Sequence, residues 1–312
     1  MSTVLKRFSL LGAAVGLLVA GCGTGPAQAG SAVIIGDTSI PLEVVQQRLD
    51  TVLKTEPEAR KLQEQGKLAQ VASAIVTDVV RHELLKRAAQ QEGITVDETE
   101  VTKTLENAGG AEEASKNNIH DPSTIRDLVR DTLIQTELGR RYIDRLEVTI
   151  DFFYTKDGRD AIAKAKEVAA NPDKMKDFVR DAPKSAEGAR LAELGKVVRT
   201  SETPSQGPTL LFGTKPGTVV AFLPDPANAE WMVAYIQDRK TNAKASSGAS
   251  AEELNPRVLG DTGLRITQLI ADEVKVEVNP RFGQWDPAVM AVAPNGEEKS
   301  GFVAVARKST AP

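Results

Sequence analysis

Apolar residues recur at helical spacing through most of the first half of this chain and then alternate in twos through parts of the second. Residues 32–40 read as two short strands around Gly36-Asp37, a dipeptide that favours a tight hairpin turn. Pro41 suits the first position of a helix, where a missing N–H does no harm, and Val44, Val45, Leu49, Val52 and Leu53 give that helix an apolar stripe. Residues 55–66 are charged and polar and predict a fraying helix or an exposed loop. The strongest pattern covers 68–91. There Val71, Ile75 and Val79 form one ridge, and Val76, Val80, Leu84 and Ala88 form the next, so this helix is expected at the centre of a core. Gly93 ends it, and Asp97 with Glu100 fits a capping box for a helix reaching about 107. Asp121-Pro122 predicts the start of another helix, reaching about 147.

From 149 the character changes. Ile150, Phe152 and Tyr154 alternate as a strand would, 157–168 is an Ala- and Lys-rich helical stretch, 172–179 adds a turn or two, and 230–240 alternates as a closing strand. The Ala-, Ser- and Gly-rich run 243–250 reads as a linker. Helical period returns over 251–272, and Val274, Val276 and Val278 then alternate with Lys275 and Glu277 as in a half-buried strand. Residues 280–312 hold Phe282, Trp285 and the turn pairs Asp286-Pro287 and Asn295-Gly296; they are expected to form a tail that caps the core or carries a partner contact.

Composition narrows the chemistry. At 312 residues and 41% hydrophobic the chain can bury a sizeable core, and with 4% aromatics that core must be aliphatic. A net charge of −4 argues against nucleic acid as a partner. One cysteine cannot form an internal disulfide, and with His82 and His120 it cannot build a zinc site without carboxylates, so no metal is expected. His82, between Arg81 and Glu83, is expected to be a solvated or half-buried structural residue, and His120 a loop residue ahead of the Asp121-Pro122 cap. Neither has a serine, cysteine or threonine at a spacing that suggests a triad, and no glycine-rich loop joins a strand to a helix to cradle phosphate. No catalytic residue and no cofactor are therefore assigned. Phe152, Phe153, Tyr154, Phe212, Phe222, Trp231 and Tyr235 gather in the middle region, where core packing is expected rather than a peptide-contact surface.

The amino terminus carries the most specific signal. Lys6 and Arg7 precede 13 uncharged, mostly apolar residues at 8–20. As a helix these would span roughly 20 Å, short of a hydrocarbon core of about 30 Å. That length fits the hydrophobic region of a signal peptide, residues 1–21. Val19-Ala20-Gly21-Cys22 then resembles the bacterial lipobox. The resemblance implies that the Cys22 thiol takes up a diacylglyceryl group and that a lipid anchor holds the chain on the extracytoplasmic face of the cell membrane. The alternative is cleavage at Ala27-Gln28-Ala29 with an incidental cysteine. Residues 22–31, rich in glycine and small residues, read as a flexible tether.

The order of elements carries a second resemblance. A strand pair, a helix, a long helix, the stretch Glu92-Gly93-Ile94-Thr95-Val96-Asp97-Glu98, a short helix and a long helix are similar to the amino-terminal domain of SurA-type chaperones and PrsA-type foldase lipoproteins. Within 149–242, Lys215-Pro216-Gly217-Thr218-Val219 and the closing strand resemble a parvulin-type prolyl isomerase domain. The resemblance implies an α+β fold. A mostly helical chaperone domain, 32–148, would be completed by a returning helix and strand at 251–279, with a smaller parvulin-like α/β domain inserted. Active parvulins resemble one another in a histidine on the first strand and another on the last, and 148–154 and 231–236 contain neither. The function implied is a chaperone that binds unfolded or partly folded exported polypeptides without isomerase activity. The alternatives are an active peptidyl-prolyl isomerase and an envelope assembly scaffold.

Overall fold

The computed structural model describes residues 30–116, 118–183, 191–225, 227, 230–244, 251–295 and 299–307. The expected signal peptide, Cys22, most of the tether and residues 245–250 of the expected linker lie outside the described residues.

Strands β1 (Ser31–Ile35) and β2 (Thr38–Pro41) close the hairpin at Gly36-Asp37, with Ile35 opposite Thr38. Pro41 caps α1 (Leu42–Thr55). The charged stretch beyond it is helical, as α2 (Pro57–Glu64), because Pro57 occupies a first-turn position that needs no donor. Helix α3 (Leu68–Glu92) runs 25 residues and ends where Gly93 turns left-handed at φ 62°. Asp97 accepts the Thr99 amide to begin α4 (Glu98–Asn107), and the single turn α5 (Ala111–Ala114) follows.

Helix α6 spans Ile125–Tyr142, starting later and ending earlier than its sequence suggests. Asp121 Oδ1 takes the amides of Ser123 and Thr124 and closes a turn ahead of the helix, while Glu147 already belongs to β3 (Glu147–Thr155). Next come α7 (Gly158–Ala170), α8 (Lys174–Asp181), β4 (Ala192–Arg199), β5 (Thr218–Phe222) and β6 (Trp231–Lys240). Helix α9 (Pro256–Val274) starts at an Asn255 cap and is followed by β7 (Val276–Val278).

The terminal segment, expected to cap the core or carry a partner contact, packs on the first core through Phe282, Met290 and Val292. It forms the hairpin β8 (Gln284–Asp286) and β9 (Ala291–Ala293), then β10 (Phe302–Val305). The architecture is α+β, with sheets of order β2-β1-β7, β10-β5-β6-β3-β4 and β8-β9, every pairing antiparallel.

Helix α3 is the axis of the first core. Ile75, Val76, Val80, Leu84 and Leu85 are fully buried against β1, α1, Leu138 of α6, Ile270 and Ala271 of α9, and Phe282, Met290 and Val292 of the terminal segment. Its broad apolar face is covered rather than left open as a cradle. The terminal segment is fixed to α3 by three polar side chains four residues apart: Ser73 Oγ donates to Phe282 O, Thr77 Oγ1 accepts the Val292 amide, and Arg81 Nε donates to Met290 O at 2.9 Å.

The sequence places residues 251–278 on the first domain rather than the middle one, and the structure corrects that to both. Helix α9 packs along α6 and α3, and β7 pairs with β1, Val278 opposite Val33. Yet Ile266 of α9 belongs to the core beneath the five-stranded sheet, and Arg265 reaches that region's loop through Pro208 O at 2.8 Å. The middle strands thus rest on the returning helix, and β10 pairs with β5 at the sheet edge.

Candidate functional site

The two strand stretches that would carry the parvulin histidines lie side by side. β3 pairs with β6, and Phe152 stands opposite Ala234. Alternation sends Val148, Ile150, Phe152, Met232, Ala234 and Ile236 to one face, where they pack on Leu210, Leu211, Phe212, Ile266 and Ala288. Phe153 and Val233 point to the other face, under Ala161, Ala165, Val168 and Met175 of α7 and α8. Both faces at this point are apolar, with Ala234 buried and Phe152 half-buried, and the pair itself supplies no polar group to steer a twisted amide.

An open site lies at one end of the same sheet. The ends of β5 and β6, the start of α7, the 208–210 loop and the terminal segment enclose a cleft of about 630 Å³. Phe222, Trp231, Leu210 and Ile162 supply apolar surface, joined by Leu223, Pro224, Pro208, Ala288 and Val289, and Val289 is 45% exposed. Gly158 makes room for the indole: a Cβ there would lie 2.7 Å from the Trp231 ring. Asp157 lines the cleft, but its carboxylate is spent on the amides of Arg159 and Asp160 at the head of α7.

Arg265 stiffens the floor. Nε donates to Pro208 O, Nη1 to Pro287 O and Nη2 to Ala288 O, at 2.7–2.8 Å. Burial pulls its pKa down to about 10, so it stays cationic at neutral pH. Arg159 and Lys299 add cationic groups at the exposed rim. The cleft is thus an apolar trough with positive edges, suited to an extended chain carrying bulky apolar side chains.

Both histidines sit in the helical part, each on a carboxylate. His82 Nδ1 lies 2.9 Å from Asp131 Oδ2 and ties α3 to α6; that hydrogen bond, opposed by burial, holds the imidazole above its ordinary value. His120 is buried at 5% exposure, against the expectation of a plain loop residue, with Nε2 3.0 Å from Asp78 Oδ1. Asp78 also accepts Arg48 Nη1 at 2.8 Å. Burial would raise the Asp78 carboxyl, but the bond from His120 and the charges of His120 and Arg48 outweigh it and hold it below its ordinary value. Each histidine is a strut between elements, its bonded ring nitrogen engaged with a carboxylate rather than with a hydroxyl or thiol. Among the described residues no cluster of histidine, cysteine and carboxylates could hold a metal ion, and no helix is long and apolar enough to cross a membrane.

Of the seven aromatics assigned to the middle core, Phe153, Phe212 and Phe222 are buried and the other four half-buried, while Trp231 and Phe222 also line the cleft. Val289, Ala288 and Lys299 escaped the sequence reading because they come from a segment without periodicity. The spacing of Ser73, Thr77 and Arg81 was the one available sign that something polar docks on α3.

No protein-family model and no curated protein matches this chain. Among solved structures, the foldase protein PrsA from Lactococcus lactis aligns over 80% of this chain and 95% of its own, at 11% identity and a TM-score of 0.27.

Proposed function

We propose that this chain is a membrane-tethered, extracytoplasmic polypeptide-binding protein of the chaperone or foldase kind, without prolyl isomerase activity. The observation that carries the reading is the cleft of about 630 Å³, whose apolar surface at Leu210, Phe222, Trp231 and Val289 is interspersed with polar groups such as Arg265, Ser205 and Thr209. Room for a few bulky side chains suits transient binding of unfolded segments. A holdase of this kind works by mass action, lowering the free concentration of the unfolded state. The lipobox-like Val19-Ala20-Gly21-Cys22 supports export and a lipid anchor, which would keep the protein where chains emerge.

The apolar Phe152–Ala234 face supports an inactive parvulin-like unit. Isomerisation must lower a barrier of about 18–20 kcal/mol, which needs polar groups placed around a twisted amide. Two assays on the full mature chain test the reading together. Stoichiometric protein should slow aggregation of chemically denatured clients, and catalytic amounts should leave the cis-to-trans rate of a proline peptide at its uncatalysed value. Robust acceleration of that peptide overturns the inactive-unit reading, and failure with several unrelated clients overturns the chaperone reading.

A further inference from the structure

We infer that β10 is a docking edge for an extended polypeptide strand, so that a client is held by its main chain at the sheet edge as well as by its side chains in the cleft. This rests on the polypeptide-binding reading above. The five-stranded sheet ends on β4 at one side and β10 at the other, and the two edges differ. β4 is guarded. Its register with β3 shifts between Ile150 and Phe152, and Gly195, at φ 67°, gives its amide to the Asp151 carboxylate. Glu193, Lys196 and Arg199 place charges along it. A bulge and interspersed charges are the usual means by which an edge strand is kept from pairing further.

β10 has none of these. Phe302-Val303-Ala304-Val305 is uncharged and pairs with β5 in unbroken register, Phe302 opposite Ala221 through Val305 opposite Thr218. Its side chains pack into the cores on both faces of the sheet, yet every residue from 301 to 307 keeps solvent exposure, and Val305 is 79% exposed. Neighbouring β5, by contrast, is buried throughout. Among the described residues no strand pairs with the outer side of β10; just past it the Arg307 amide on that side donates to Ala169 O at the end of α7, so the open stretch is β10 itself.

The chemistry of an unpaired strand edge selects its occupant. Alternating main-chain donors and acceptors are matched by another main chain in extended form, whatever its side chains. A second copy of this chain is the weaker candidate. Two four-residue strands pair over only about 13 Å, and an interface that short falls well below the roughly 1,000 Å² a stable dimer needs. A client segment has a further site within reach, because Lys299 and Ser300, which lead into β10, line the cleft. A strand laid on β10 can run on into it and place apolar side chains against Phe222 and Trp231.

The test is binding of a fluorescein-labelled, soluble peptide with alternating valine and phenylalanine to the full mature protein, read by anisotropy. The same peptide N-methylated at alternate residues keeps its side chains but loses the donors of one edge. It is expected to bind at least about tenfold more weakly. Val305→Lys, at an exposed position and of the kind that guards natural edges, should weaken the unmodified peptide similarly while leaving the melting temperature unchanged. Equal binding of the two peptides, or wild-type affinity in Val305→Lys, overturns strand addition. A dimer in sedimentation that Val305→Lys abolishes overturns it in favour of the second copy. If the wild type binds no peptide but still slows client aggregation, the edge inference fails and the chaperone reading stands; if it does neither, that reading fails as well.

Discussion

Gly139 of α6 and Gly263 of α9 meet where the two helices cross: a Cβ on Gly263 would lie 2.8 Å from the Gly139 amide nitrogen and 1.9 Å from Gln135 O. A Cβ on Gly139 would likewise come 1.9 Å from Leu259 O. Backbone touches backbone here, so no side-chain rotation can relieve an added methyl group. The contact sets how the returning helix lies on the first domain, and through Ile266 it sets where the five-stranded sheet rests.

Gly263→Ala should therefore destabilise the protein by about 3 kcal/mol, the upper range for overpacking, even though alanine is the better helix former. Gly260→Ala is the control on the same helix, since its Cβ would meet nothing nearer than 3.8 Å. Urea denaturation of both variants checks this: a marked fall in midpoint is expected for Gly263→Ala alone.

Arg265→Met should cost about 3–5 kcal/mol, because it strands the carbonyls of Pro208, Pro287 and Ala288, and each lost partner is worth roughly 1–3 kcal/mol. Amide hydrogen exchange should also rise in β8 and β9, which that guanidinium helps to fix. Unchanged exchange there would mean that the contacts from Ser73, Thr77 and Arg81 of α3 suffice to hold the segment.

Stability should depend on the protonation of His82. Its bond to Asp131, opposed by burial, and the charges of Asp131, Asp127 and Asp78 raise its pKa above 6.5. The folded state thus holds the proton more tightly, so the pair contributes fully below about pH 6.5 and the contribution fades as pH climbs through the raised value. Burial also raises the Asp131 carboxyl from its ordinary value, which makes stability fall with rising pH in a separate, acidic window. The imidazole side chain is 41% exposed, so solvent screening keeps the effect under about 1 kcal/mol. Urea midpoints between pH 6 and 9 should fall in the wild type and flatten in His82→Gln.

Cys22, which lies outside the described residues, should be the first residue of the mature protein and carry a diacylglyceryl group. Mass spectrometry of membrane-extracted protein checks this through its amino-terminal peptide. A processed Cys22→Ser protein that still fractionated wholly with membranes would contradict the anchor.

Elements that repeat a strong local signal were legible in the sequence. Helix α3 follows from its two apolar ridges, the α4 start from Asp97, the first hairpin from Gly36-Asp37, and β6 from its alternation. Where the signal is one of long-range pairing, it was not. β8, β9 and β10 are three or four residues each, too short for a period to register; β8 and β9 pair locally with each other, but β10 finds its partner β5 more than 80 residues back and the Val292 amide its partner Thr77 215 residues back. The cleft was hidden for the same reason, because Val289 and Lys299 reach it only through those pairings. Whether residues 280–312 cap the core or meet a partner stayed open in the sequence, because a broad apolar face on a helix does not say whether a partner of the same chain fills it.

The cleft's hold on unfolded polypeptide is the central claim, and two exposed valines test it most directly. Val289 lines the cleft at 45% exposure, and Val44 lies on α1 outside it at 39%. Aggregation of a denatured client should be followed by light scattering with stoichiometric wild type, Val289→Asp and Val44→Asp. The expected result is that Val289→Asp loses most of the protection at an unchanged melting temperature, while Val44→Asp protects like the wild type. Full protection by Val289→Asp, or an equal loss in both variants, would contradict the account.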